Sequence, residues 1–122
     1  AMGQIIMLMR SVFTRSTEIH MGQWNKTAVN SQEVRGKNLG IVGYGNIGKQ
    51  LSVLAEAMGM RVYYYDVADQ LALGNAIKCS RLEQLLTVSD VVTLHVDDTK
   101  ANRNFIGERE INQMRDGAYL IN

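Results

Sequence analysis

Proline is absent from this chain, where average usage of about 5% would supply roughly six. No turn here is therefore fixed by a pyrrolidine ring. Cysteine is nearly absent too. Cys79 stands alone, which excludes an internal disulfide and fits a reducing cytosol. No histidine or second cysteine lies near it in sequence, so it reads as a small, half-buried side chain rather than a reactive thiol. No apolar run approaches the roughly 20 residues of a membrane span. The run IIMLM at residues 5–9 stops at Arg10. No basic segment precedes it and no small-residue cleavage site follows, so it does not read as a secretory signal. Charge of one sign is also missing. The 13 Lys and Arg against 12 Asp and Glu leave +1, which offers no field for steering nucleic acid. Internal repeats and low-complexity tracts do not occur.

What is present is ordinary for one globular domain: 122 residues, 46% hydrophobic and 20% charged. Residues 1–37 differ from the rest. Ile5, Ile6, Met9, Val12 and Phe13 fit one helical face, and a polar stretch with the sole tryptophan, Trp24, follows. This predicts a helix and then an irregular arm, of the kind that docks on another subunit.

From Lys37 onward the pattern is β-α-β-α-β-α-β. Residues 39–42 predict a buried strand. Residues 46–58 predict a helix, with Ile47, Leu51, Leu54, Ala55 and Met58 at helical spacing and Gly59 ending it. RVYYYD, residues 61–66, is rich in aromatic strand formers. Residues 67–79 give no clear pattern. Ser80 and Glu83 have capping-box spacing at the head of a helix. DVVTLHV, residues 90–96, is a β-branched strand. Residues 107–114 predict a short helix with Ile111 and Met114 on one side, and AYLIN, residues 118–122, a last strand. Apolar strands alternating with helices indicate a doubly wound, Rossmann-like α/β fold, a parallel sheet covered on both faces with right-handed crossovers.

The stretch LGIVGYGNIGKQL, residues 39–51, carries three glycines spaced G-x-G-x-x-G. Alone that spacing is weak, but here a strand precedes it and a helix follows. Gly43 suits a tight turn, Gly45 lets a pyrophosphate approach the backbone, and Gly48 lets the helix pack close to the strand. The helix starting near Asn46 aims free N–H groups at the phosphates. The choice of nucleotide turns on Asp66, about twenty residues on, where an acid accepts from both ribose hydroxyls and repels a 2′-phosphate. Val67 and Ala68 follow it, not the Arg or Ser a 2′-phosphate would want. NAD is therefore expected rather than NADP. Methyltransferases also pair a glycine turn with a strand-end acid, but the three-glycine spacing favours a dinucleotide. His95 falls at a strand end, where ligands sit in open α/β sheets, and is expected to line the cofactor cleft. A catalytic base would need a carboxylate partner, and none can be assigned. His20 lies in the polar arm and is expected at the surface.

The run VRGKNLGIVGYGNIGKQLSVLAEAMGMRVYYYD resembles the cofactor domain of the D-isomer-specific 2-hydroxyacid dehydrogenases. Together with HMGQWNK, ALGNA, SDVVTLHV and DGAYLIN, it resembles the microbial branch that oxidises 3-phosphoglycerate to 3-phosphohydroxypyruvate with NAD in serine synthesis. The resemblance covers nearly the whole chain. It implies an oligomeric, cytoplasmic oxidoreductase with a small-molecule substrate. It divides the chain into an interdomain helix and dimerisation arm, residues 1–37, and an NAD-binding domain, residues 38–122. It also implies that Asn46 and Ile47 cover the pyrophosphate with backbone N–H groups, that Asp66 and Val67 flank the adenosine ribose, and that His95 and Val96 lie beside the cofactor. Trp24 and Lys26 would sit at a subunit interface.

Two departures accompany it. Asp97 stands where the family usually has proline, which adds freedom and a negative charge to the cleft wall. The chain also stops at Asn122, just before an Ala-Ser-Arg-Gly turn that carries the family's catalytic arginine. The expectation is a catalytically silent piece of an enzyme that holds NAD weakly. A stand-alone NAD(H)-binding or redox-sensing module, a dimerising fragment, and the same domain from a neighbouring 2-hydroxyacid dehydrogenase are the alternatives.

Overall fold

The structure is a computed structural model that describes residues 1–122. Five strands form one wholly parallel sheet: β1 (Asn38–Val42), β2 (Arg61–Tyr65), β3 (Ile77–Lys78), β4 (Val91–Leu94) and β5 (Tyr119–Ile121). Their order in space is β3-β2-β1-β4-β5. The central strand β1 pairs with β2 on one side, Leu39 opposite Val62, and with β4 on the other, Leu39 opposite Val91. Leu39, Ile41, Val42, Val91 and Val92 are fully buried, as strands covered on both faces must be.

Five helices accompany the sheet: α1 (Met2–Met9), α2 (Val12–His20), α3 (Asn46–Ala57), α4 (Leu82–Val88) and α5 (Glu108–Gln113). Ile5 and Met9 of α1 and Leu51 and Ala55 of α3 join one core with Leu39, Ile41, Val62 and Tyr64. Leu85 and Leu86 of α4 join a second core with Val42 and Val92, against which Met114 packs after α5. These two cores are the two faces of a doubly wound sheet.

Several expectations are corrected. The first helix does not run through Phe13. It breaks at Arg10 and Ser11, where Ser11 takes φ 57, and a second helix, α2, starts at Val12 and continues to His20, into the segment expected to be an irregular arm. The break is stabilised from a distance. Gln32 N–H donates to the Met9 carbonyl at 2.7 Å and Ser31 Oγ to the Arg10 carbonyl at 3.1 Å, which satisfies carbonyls left at the end of α1. Val12 and Phe13 consequently face solvent. In α3 the expected apolar stripe splits. Leu51 and Ala55 are buried, while Ile47, Leu54 and Met58 are exposed, because only the face that carries Gly48, Leu51, Ser52 and Ala55 meets the sheet. Gly59 ends α3 as expected, with φ +83 and bonds from Gly59 N and Met60 N back to Glu56 O and Ala55 O.

At the head of α4 the capping acceptor is Gln84, not Glu83. Its Oε1 takes Ser80 N, Ser80 Oγ and Arg81 N at 3.0–3.2 Å. Ile111 on α5 is exposed, leaving Met114 alone against the core. Cys79 is buried rather than half-buried. The unclear stretch 67–79 contains β3, an edge strand of two residues paired with Tyr63 and Tyr64.

Candidate functional site: a cleft at the strand C-termini

Strand order changes direction at β1, whose next element crosses to β2 while β4 lies on its other flank. In open α/β sheets a crevice opens at that point, beyond the strand C-termini. Here it is a cleft of about 350 Å³ lined by Gly43, Gly45, Asp66, Val67, His95 and Val96, six of the residues named from the sequence. A hollow of about 490 Å³ lies instead on the arm, around Trp24 and Lys26, remote from the strand ends.

The floor of the cleft is the glycine turn. Gly43 leaves β1 with φ +93, and its N–H donates to the Tyr65 carbonyl at 2.9 Å. A Cβ there would collide with the His95 carbonyl oxygen and lie 2.9 Å from Val96 N, so no larger residue fits. Gly48 is equally confined. A Cβ there would strike the Gly43 carbonyl oxygen and approach Ile41 Cγ2 to 3.2 Å. Gly45 is the opposite case, because a Cβ there would meet nothing within 4 Å. The space beside it is open, and it opens at the head of α3.

Gly45 is the N-cap of α3, with no side-chain cap. The N–H groups of Asn46, Ile47 and Gly48 have no intrahelical partner, and the first helical bond runs from Lys49 N to Gly45 O at 2.9 Å. Asn46 and Ile47 are exposed and are not among the residues that line the cleft, but they directly follow Gly45, which is. Uncapped donors, the positive end of a helix and a bare backbone together fit an anionic pyrophosphate.

Asp66 stands at the end of β2. Its Oδ2 accepts Tyr44 N–H at 2.7 Å and its Oδ1 accepts Ala68 N–H at 2.8 Å. Each oxygen keeps a further lone pair for a hydroxyl donor. Val67 beside it is almost fully exposed at 88%. On the opposite wall His95 follows β4, its N–H donating to the Val42 carbonyl at 2.7 Å. One ring nitrogen, Nε2, lies 3.0 Å from Oγ1 of the buried Thr93. Burial lowers the His95 pKa from its ordinary value, which favours the neutral ring. No carboxylate hydrogen-bonds it, and it forms no acid–base pair. His20 is exposed, as expected.

Residues that sequence reading passed over complete the walls. Ala68 and Gln70 continue from Asp66, and Asn102 and Phe105 lie opposite with Asp97. Asn102 Nδ2 donates to the Asp97 carbonyl at 2.8 Å and holds that wall together, without the proline expected there. Phe105, one of only two phenylalanines, carried a signal in being aromatic amid a polar stretch. Gln70 carried none. Lys49 Nζ donates to its Oε1 at 2.9 Å, across a sequence gap that no local pattern reveals.

Comparison with known proteins agrees with this architecture. The profile of the D-isomer specific 2-hydroxyacid dehydrogenase NAD binding domain matches residues 2–122. The chain is 56% identical over 119 residues to a D-3-phosphoglycerate dehydrogenase of Dictyostelium discoideum, covering 98% of this chain and 29% of that protein. It is 50% identical over 121 residues to a D-3-phosphoglycerate dehydrogenase of Haemophilus influenzae, covering 99% of this chain and 30% of that one. Among solved structures, a D-lactate dehydrogenase with NAD+ from Lactobacillus jensenii superposes with a TM-score of 0.89 at 27% identity, over 100% of this chain and 37% of that one. The chain thus spans under a third of the length of these two curated relatives.

Proposed function

The chain belongs to the D-isomer specific 2-hydroxyacid dehydrogenases, as their NAD-binding domain, and on that premise we propose that it is the cofactor-holding part of an enzyme that oxidises 3-phosphoglycerate to 3-phosphohydroxypyruvate in serine synthesis. The observation that carries this reading is the cleft itself. Gly43 and Gly45, the bare-backbone turn at the head of an uncapped helix, line it together with the strand-end carboxylate of Asp66. The identity of about half to D-3-phosphoglycerate dehydrogenases supports that substrate over the 2-hydroxy acid of the lactate enzyme, at 27%.

In this reading Gly43, Gly45 and Gly48 shape the turn, and Asn46 and Ile47 donate their N–H groups to the pyrophosphate. Asp66 accepts from the adenosine ribose, with Val67 beside it. His95 and Val96 form the far wall. NAD bound there supplies a hydride acceptor. This chain's own residues hold it, orient it and exclude water from one side. None is assigned the substrate proton, because the His95 ring is hydrogen-bonded to Thr93 and has no carboxylate partner to orient it as a base. Residues 1–37 serve as the interdomain helix and dimerisation arm, and residues 38–122 as the NAD-binding domain of a homo-oligomer. The buried free thiol of Cys79 accords with a cytoplasmic location.

The test is calorimetric titration of the chain with NADH and, beside it, NADPH. Saturable binding of NADH with NADPH weaker is expected, and Asp66→Ala narrows the difference. Binding of neither, or equal binding of both, overturns the reading.

A further inference from the structure

We propose that Tyr44 is a positioning residue for the ribose side of the cleft: its phenol clamps the loop after β2 to the glycine turn and thereby sets the direction of the Asp66 carboxylate. The proposal rests on the reading of Asp66 as the ribose-binding acid.

Tyr44 lies between two glycines of the turn, yet it is wholly buried. Its ring stacks on that of Tyr64, with centroids 3.8 Å apart and planes at 18°. Its hydroxyl donates to Ser52 Oγ on α3 at 3.0 Å and accepts Leu73 N–H at 3.1 Å. The Tyr64 hydroxyl donates to the Gln70 carbonyl at 2.8 Å. The two stacked phenols therefore hold the loop at two points. Farther along, Asn75 N–H and its side-chain amide donate to the Glu56 carboxylate.

Other anchors are few: Lys49 holds the Gln70 side chain, Lys78 pairs with Asp69, and Ala76 is buried where the loop ends. Residues 66–76 form neither helix nor strand, and Val67 and Leu71 are more than four-fifths exposed. Before Ala76, burial of its own side chains contributes little to ordering it. Yet Asp66, Val67, Ala68 and Gln70 form one wall of the cleft. The Asp66 carboxylate is aimed by two N–H donors, Tyr44 and Ala68. One belongs to residue 44 itself and the other to the loop that its hydroxyl restrains. Tyr44 thus acts on the acid from both sides, and a slack loop leaves the carboxylate free to turn from the ribose.

Tyr44→Phe keeps the ring and its stack and removes only the hydroxyl. In this variant the Leu73 amide should exchange with solvent about tenfold faster, while amides of β1 and β4 keep their protection. NADH affinity should fall about threefold to tenfold, and the preference for NADH over NADPH should narrow. Ser52→Ala separates this role from plain packing. It removes the acceptor of the phenol but leaves Leu73 bound, so stability should fall with the NADH/NADPH ratio retained. Wild-type exchange at Leu73 in Tyr44→Phe overturns the clamp. So does faster exchange with an unchanged cofactor ratio, or an equal loss of ratio in Ser52→Ala. Failure of the wild-type chain to bind NADH at all would remove the ribose reading, and with it the role proposed for Tyr44.

Discussion

A neutral imidazole in a cleft wall ties folding to pH. Burial lowers the His95 pKa, so the unfolded chain binds the proton more readily than the folded one. Stability from this group is therefore complete above the unfolded value of about 6.5 and declines as pH falls through it. The urea midpoint should drop as pH falls below about 6.5, and His95→Gln should flatten that drop. An equal drop in both proteins would mean that another group is responsible. Asp69 and Glu110, whose pKa values are lowered by their hydrogen bonds to Lys78 and to the Gly107 backbone, act in a more acid range, below about pH 4.5. At this scale the sequence was informative about identity and mute about partners. Asp66 was legible because strand-end position and spacing mark it. The bond from Ala68 N–H is local to Asp66, but the bond from Tyr44 N–H was not legible, since it depends on how the glycine turn folds over β2.

The β1–turn–α3 element makes different demands on its glycines. Gly48→Ala drives a methyl into the Gly43 carbonyl and against Ile41, so α3 must lift from the sheet. A loss of about 1–3 kcal/mol in folding stability is expected. Gly45→Ala meets open space at φ −82, which any residue adopts. It should lose less than about 1 kcal/mol of stability, yet place a methyl where the pyrophosphate would lie and abolish NADH binding. Denaturant unfolding with calorimetry on both variants checks this. Similar stability losses with binding intact at Gly45→Ala would show that the turn holds no phosphate. Elements with a local signal were readable: β1, β2, α3 and the αL glycine that ends it. The α1–α2 break was not. It depends on Ser31 and Gln32 returning to cap carbonyls at residues 9 and 10, a contact between segments twenty residues apart. The two-residue β3 was hidden as well, since it is defined by its neighbour β2 rather than by its own residues.

For the whole molecule, the arm presents Trp24 at 81% exposure, with Met21 and Val29 also largely exposed nearby in the chain. If the arm joins subunits, association should rise with concentration in sedimentation equilibrium. The sole tryptophan should report it by a blue shift of its emission. Trp24→Ala should weaken the dimer at least about tenfold. A chain that stays monomeric with red-shifted emission at every concentration would refute the role of the arm. The five-stranded order β3-β2-β1-β4-β5 belongs to this scale too. Alternation of elements implied a parallel sheet. Which strands neighbour which depends on how each crossover covers a face.

The amino-acid sequence by itself determined the doubly wound class, the glycine turn, the acid at the end of β2 and the absence of an internal disulfide. These follow from local periodicity, from spacing and from residue types that only certain backbone geometries tolerate. Tertiary structure alone decided that the apolar stripe of α3 splits and that α1 ends at Met9. It also decided that Tyr44 and Tyr64 jointly hold the loop beside Asp66. Such outcomes depend on which polar groups distant segments bring within hydrogen-bond reach, and no short-range pattern in the chain encodes that.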